Sequence, residues 1–150
     1  MSEWTCDVCG GPIKGVEDGW VEWLSGNDGD KDRSLRLVHN RPSSPRANGC
    51  QYDGTLEYRK SGSTVADRDL GFFSSQDGLM QLLEFISLDR FAEKEEVLQM
   101  IKRLHVPGYE KAYRHLDHAV QEGVFEPDGP RNYPDQYQIK LTNEWLDSQR

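Results

Sequence analysis

Two of the chain's three cysteines, Cys6 and Cys9, fall within T-C-D-V-C-G-G-P. Residues of this type at this spacing support two chemistries. A C-x-x-C pair can cycle between dithiol and disulfide, or it can aim two thiolates from one tight turn at a single cation. Gly10, directly after the pair, favours the second, because a residue without a side chain lets the turn adopt a positive φ and brings backbone N–H groups toward the sulfurs. Cys50 is the only other cysteine, and His39 lies eleven positions before it, across the Pro- and Gly-containing loop N-R-P-S-S-P-R-A-N-G. Cys6, Cys9, His39 and Cys50 together form a Cys3His set suited to tetrahedral Zn²⁺. Other candidates for the fourth position are His105, an aspartate or water. Zinc enzymes keep one coordination position open, so a set of four residues predicts a structural zinc and no catalytic residue.

The C-x-x-C-G shape resembles the zinc knuckle of zinc ribbons and related small domains. A thioredoxin-like redox motif would need its cysteines at the start of a helix, and G-G-P-I-K-G after Cys9 is a poor helix. Zinc nucleoside deaminases place H-x-E before P-C-x-x-C; here the pair comes first and no glutamate follows His39 at that spacing. Asp28, Asp30 and Asp32 match positions 1, 3 and 5 of a calcium loop, but Arg33 stands where Gly is required and His39 where a bidentate Glu belongs. A solvated hairpin tip explains the three aspartates.

Which elements would position the four ligands? G-W-V-E-W-L (residues 19–24) and S-L-R-L-V-H-N (residues 34–40) alternate with the period of strands and predict a β-hairpin returning His39 to the knuckle. T-L-E-Y-R (55–59) predicts a third short strand. Trp20 and Trp23 then point to opposite faces. Residues 1–60 read as a zinc-binding β module, and a unit below roughly 70 residues usually needs such a staple. The polar, Gly-containing stretch 61–74 reads as a linker.

Residues 75–150 read as mainly helical, giving an α+β chain overall. Ser74 with Asp77 suggests a capping box ahead of a helix whose apolar face, Leu79, Leu82, Leu83 and Ile86 widened by Met80 and Phe85, is broad enough for a central position. Two further helices follow, over 93–104 and 108–123, with His105 in the turn suited to capping the first. The second carries a stripe of Tyr109, Ala112, Tyr113, Leu116, Ala119 and Val120. V-F-E (124–126) and Y-Q-I-K-L (137–141) suggest paired strands, and Thr142 a cap for a closing helix. Two helices, a hairpin and a helix resemble the winged helix-turn-helix superfamily. The resemblance implies a recognition helix over 109–121 and a wing over 127–136, and hence partner or nucleic-acid contacts by Lys111, Arg114, His115, His118 and Arg131. Glu110 and Asp117 share that helix face, which suits a protein partner better than DNA.

The charge balance agrees. The net charge is −8, with 16 acidic against 10 basic residues from Ser61 onward, which opposes broad binding to nucleic acid. Four Trp, six Tyr and five Phe supply core material in a chain that is 35% hydrophobic. No secretory-signal pattern or membrane-length apolar run is present, so the chain reads as cytoplasmic. It contains no nucleophile–base constellation, phosphate loop or paired-carboxylate motif. The resulting expectation is a non-enzymatic, zinc-stabilised interaction or regulatory protein that engages a protein through its helical half; a sequence-specific DNA-binding regulator and an enzyme with dispersed residues are the alternatives.

Overall fold

The computed structural model describes residues 3–26 and 29–149. Asn27 and Asp28, which the sequence reads as part of a hairpin tip, and Arg150, which it reads as the end of a closing helix, lie outside the described residues. The chain forms two compact units, Met1–His105 and Val106–Arg150.

In the first unit, β1 (Trp4–Thr5) pairs antiparallel with β2 (Pro12–Ile13), and the C-x-x-C turn lies between them. The predicted hairpin forms: β3 (Gly19–Ser25) runs antiparallel to β4 (Arg33–His39), with Gly19 opposite His39. The rest of the module departs from expectation. Residues 55–59 belong to a helix, α1 (Gly54–Ser61), whose N-cap Asp53 accepts a hydrogen bond from Leu56 N. Acidic Glu57 in its first turn and basic Arg59 and Lys60 in its last suit the helix dipole. Leu56 and Tyr58, which suggested a strand, are both exposed, so no buried face enforces a period of two.

Nor are residues 61–74 a linker. They form β5 (Thr64–Asp69), which pairs antiparallel with β3, and a helical turn, α2 (Leu70–Phe73), capped by Asp69. The sheet order β4-β3-β5 puts β5 at an edge with most of its side chains in water, which explains its linker-like composition. Leu70 and Phe73 are buried, so the first core continues through this stretch.

Two helices complete the unit, α3 (Gln76–Ser87) and α4 (Lys94–His105). Ser75, one residue beyond the predicted cap, accepts from Gly78 N, while Ser74 donates its hydroxyl to Leu70 O in α2. Trp23 of central strand β3 sits in an aromatic cluster with Phe73, Phe85 and Phe91 at ring-centre distances of 6.0, 5.3 and 6.2 Å. Leu82, Val97 and Met100 add to the same core, whereas Trp20 is half-buried. The α3–α2 contact leaves no room for a side chain at Gly78, where a Cβ would lie 2.2 Å from Phe72 O and 2.3 Å from Phe73 Cα. Because those atoms are backbone, Gly78→Ala is expected to destabilise the unit by about 2–3 kcal/mol in urea unfolding, and a wild-type midpoint would contradict this packing.

The second unit begins with the predicted apolar stripe on the predicted side. Tyr109, Ala112, Leu116 and Ala119 are buried together with Phe125 and Ile139. The helix itself is broken into α5 (Tyr109–Ala112), a 3₁₀ turn (Tyr113–His115) and α6 (Leu116–Gln121). The larger correction concerns the wing. Residues 137–141 are the first half of a helix, α7 (Gln136–Ser148), and residues 124–126 form no strand. Asp135 and Gln138 make a reciprocal capping box, Gln138 N donating to Asp135 Oδ1 (2.8 Å) and Asp135 N to Gln138 Oε1 (3.0 Å). That box starts a helix where a five-residue alternation suggested a strand. Thr142 is therefore not a cap but a buried mid-helix residue, its hydroxyl donating to Gln138 O. The winged-helix resemblance thus lacks its hairpin among the described residues.

Candidate metal centre

Three separate stretches of chain meet at the knuckle. Its turn is closed by Gly10 N donating to Cys6 O (3.0 Å) and Cys6 N donating to Gly11 O (2.9 Å), with Gly10 at φ 75°. Gly11 N also points at Cys9 Sγ, 3.4 Å away. The knuckle is fastened to β4 by two further bonds, Asp7 N to Leu37 O and Leu37 N to Asp7 Oδ2, both 2.8 Å. His39 lies two residues beyond Leu37 on that strand, which sets its ring against the turn. Cys50 arrives from the loop after β4, with its carbonyl held by Arg36 Nη2 at 3.1 Å.

The ligand atoms of Cys6, Cys9, His39 and Cys50 all lie within 4.8 Å of one another, close enough to hold a metal ion. Bond lengths of about 2.3 Å to sulfur and 2.0 Å to nitrogen place tetrahedral ligand atoms roughly 3.5–3.8 Å apart, sulfur–nitrogen pairs at the short end. Cys9 Sγ and Cys50 Sγ stand 3.4 and 4.0 Å from His39 Nδ1, on either side of that range. His39 Nε2 is 2.8 Å from Pro12 O, a bond in which only the nitrogen can donate. Its proton therefore sits on Nε2, and Nδ1 turns a lone pair toward the sulfurs. Of the residues considered for the last position, His39 is the one brought to the cysteines. His105 instead donates Nε2–H to Phe73 O at 2.8 Å, neither a ligand nor a cap for α4.

Cys6, His39 and Cys50 are buried and Cys9 is half-buried. Burial pushes the Cys6 thiol up, but hydrogen bonds from the backbone of Cys9, Val8 and His39 oppose it, and the thiol lies at about 7. At Cys50 burial dominates and raises the thiol, opposed by the Ser44 hydroxyl 3.2 Å from its sulfur. One thiol is thus prepared for ionisation near neutral pH, and the other is not.

Two supporting networks were not foreseen from the sequence. Glu22, fully buried on β3, accepts from Arg36 Nε at 2.7 Å and from Tyr52 N at 3.0 and 3.1 Å, while Arg36 lies over the Tyr52 ring, 3.5 Å from its centre. Burial pushes the Glu22 carboxyl up, with the Tyr52 N–H and Arg36 acting against it. This network holds the Cys50 loop on the sheet. The second joins the knuckle to α4. Arg103 Nη1 reaches both Asp7 carboxylate oxygens, at 3.1 and 2.8 Å, and its Nη2 donates to Thr5 O at 3.0 Å. Arg103 reads in sequence only as a cation suited to a helix C-terminus, and nothing in the sequence pairs positions 96 apart.

The residues expected to touch a partner or nucleic acid all lie in the second unit, and two of the cations are paired with carboxylates. Lys111 is paired with Asp147, and Arg131 with Asp117 at 3.5 Å. Arg114 lies over the Tyr113 ring, and His118 faces Glu122 and the edge of Trp145. His115 is exposed in the 3₁₀ turn. Among the described residues no helix is long and apolar enough to cross a membrane. Comparisons with known protein families, with curated proteins and with solved structures return no match.

Proposed function

We propose that the protein is a non-enzymatic interaction protein, stabilised by one structural Zn²⁺ on Cys6, Cys9, His39 and Cys50, that engages a protein partner through its helical half. The observation carrying the zinc reading is the convergence of three sulfurs on a histidine nitrogen whose ring partner is already committed to Pro12 O. Thiolate and imidazole donors favour Zn²⁺ over harder cations, and four protein ligands fill its tetrahedron, leaving no position for substrate or an activated water. The ion's role is then to join the knuckle, β4 and the Cys50 loop. Pairing of Lys111 and Arg131 with carboxylates supports a protein partner over DNA.

Metal analysis of the full chain is expected to give one zinc per chain, and X-ray absorption a shell of three sulfurs and one nitrogen. An oxygen ligand in place of one residue would point to an open, catalytic site. Purification from the native host at moderate salt is expected to retain a protein rather than DNA. Duplex binding that weakens steeply with salt and falls in Lys111→Ala and Arg114→Ala variants would favour the DNA-binding alternative.

A further inference from the structure

Helix α3 is apolar on two sides, and the chain covers one of them. Gly78, Leu82 and Phe85 are buried against the first core. Away from that core Met80 and Leu83, and Leu88 just past the helix end, are 66, 45 and 60% exposed. The sequence reads this breadth as that of a central helix, and the structure leaves its outer half bare. These three side chains border a hollow of about 520 Å³ whose other lining includes Asp77 and Glu84 and no lysine or arginine. The nearest following cation, Arg90, is directed to Asp32 at 3.9 Å and to the Phe85 ring.

From this face we infer a docking site for a basic amphipathic helix of another protein, an assignment that rests on the partner-binding function proposed above and specifies its surface and ligand. Contiguous exposed apolar side chains mark interaction surfaces, and flexible Met80 suits a groove that adapts to its occupant. Apolar anchors on the incoming helix at i, i+3 and i+7 would sit between Met80, Leu83 and Leu88, with flanking lysines or arginines meeting Asp77 and Glu84. Charge decides among occupants. A second copy, itself carrying −8, would bring the same carboxylates together, and nucleic acid would meet two negative side chains.

The test uses the full, metal-loaded chain and a pair of synthetic helices of about 18 residues with leucine at those spacings, one with lysine at the remaining positions and one with glutamate. The lysine peptide is expected to bind, with NMR shifts concentrated on α3, and the glutamate peptide to bind at least about tenfold more weakly. A triple change, Met80→Ser, Leu83→Ser and Leu88→Ser, is expected to weaken the lysine peptide at least about tenfold. Asp77→Lys with Glu84→Lys should reverse the preference without removing an apolar group. Equal binding of both peptides, or shifts away from α3, would overturn the assignment. A photocrosslinking side chain at position 83 in the native host is expected to capture a basic helical segment of another protein. Crosslinks to a second copy, to this chain's own residues or to nucleic acid would refute it. Capture of a protein only from position 137, where Tyr137 of α7 is exposed, would leave the general function standing and remove this site, whereas capture from neither position would remove both.

Discussion

Serine at position 6 is expected to abolish zinc binding and, with it, the cooperative fold of the first unit. Cys6 is buried at the turn, and in the fold it belongs to the same continuous cluster as Trp4, Ile13, Cys50 and the Trp23 aromatic group. Losing the ion therefore opens the base of the core rather than freeing a separate lobe. Structural zinc supplies roughly 10–16 kcal/mol of apparent binding energy in small domains, as much as the whole stability of a typical domain, about 5–15 kcal/mol. A hydroxyl is a far weaker zinc ligand than a thiolate, so Cys6→Ser should lose at least about 5 kcal/mol at neutral pH. The measurements are zinc content, near-ultraviolet circular dichroism and thermal unfolding. Chelation of the wild type should reproduce the variant's spectrum, and re-addition of zinc should restore the wild-type signal only in the wild type. Ser44→Ala, which removes a hydroxyl beside Cys50 without removing a ligand, should keep full zinc content. A Cys6→Ser chain that melts as the wild type does would show that the four residues meet without a load to carry.

The clustering of Cys6, Cys9, His39 and Cys50 was legible because donor chemistry is scarce: three cysteines and a C-x-x-C-G turn leave few ways to complete a tetrahedron. Strands β3 and β4 were legible because segments 19–24 and 34–40 carry apolar, strand-forming residues on either side of a polar loop, although burial along β3 is nearly continuous, and α4 because its charges follow the helix dipole. The misread elements share a cause. In α1, β5 and the start of α7, the residues used to judge the period were few or faced water, so burial did not impose one. At α7 the decisive signal, Asp135 with Gln138 three positions on, stood in the sequence and was outweighed by a short alternation. The unit boundary was misplaced because a polar edge strand has the composition of a linker. Exposure on α3 had no sequence signal, since a face awaiting an outside partner looks like a face awaiting the core.

Arg103→Met is expected to destabilise the first unit by about 3 kcal/mol and to accelerate zinc loss to a chelator, although residue 103 touches no ligand atom. Its side chain is 4% exposed and that of Asp7 22%, so the pair is largely withdrawn from solvent. From this one guanidinium contacts run to both Asp7 carboxylate oxygens and to the Thr5 carbonyl, and both residues flank Cys6. Methionine keeps much of the apolar stem while removing the guanidinium charge and donors from the largely buried Asp7 carboxylate. The knuckle would then be held by β4 but no longer by α4, and a looser turn releases its ion more readily. Lysine should not rescue the loss, because a single ammonium cannot span two carboxylate oxygens and a carbonyl in one plane. Asp7→Asn in the Arg103→Met background should cost less than Asp7→Asn alone, with a coupling of about 1–3 kcal/mol in a double-mutant cycle. Additive losses, or chelator kinetics unchanged in Arg103→Met, would mean that α4 merely covers the metal centre; coupled losses would make it a buttress whose removal is felt at the sulfurs.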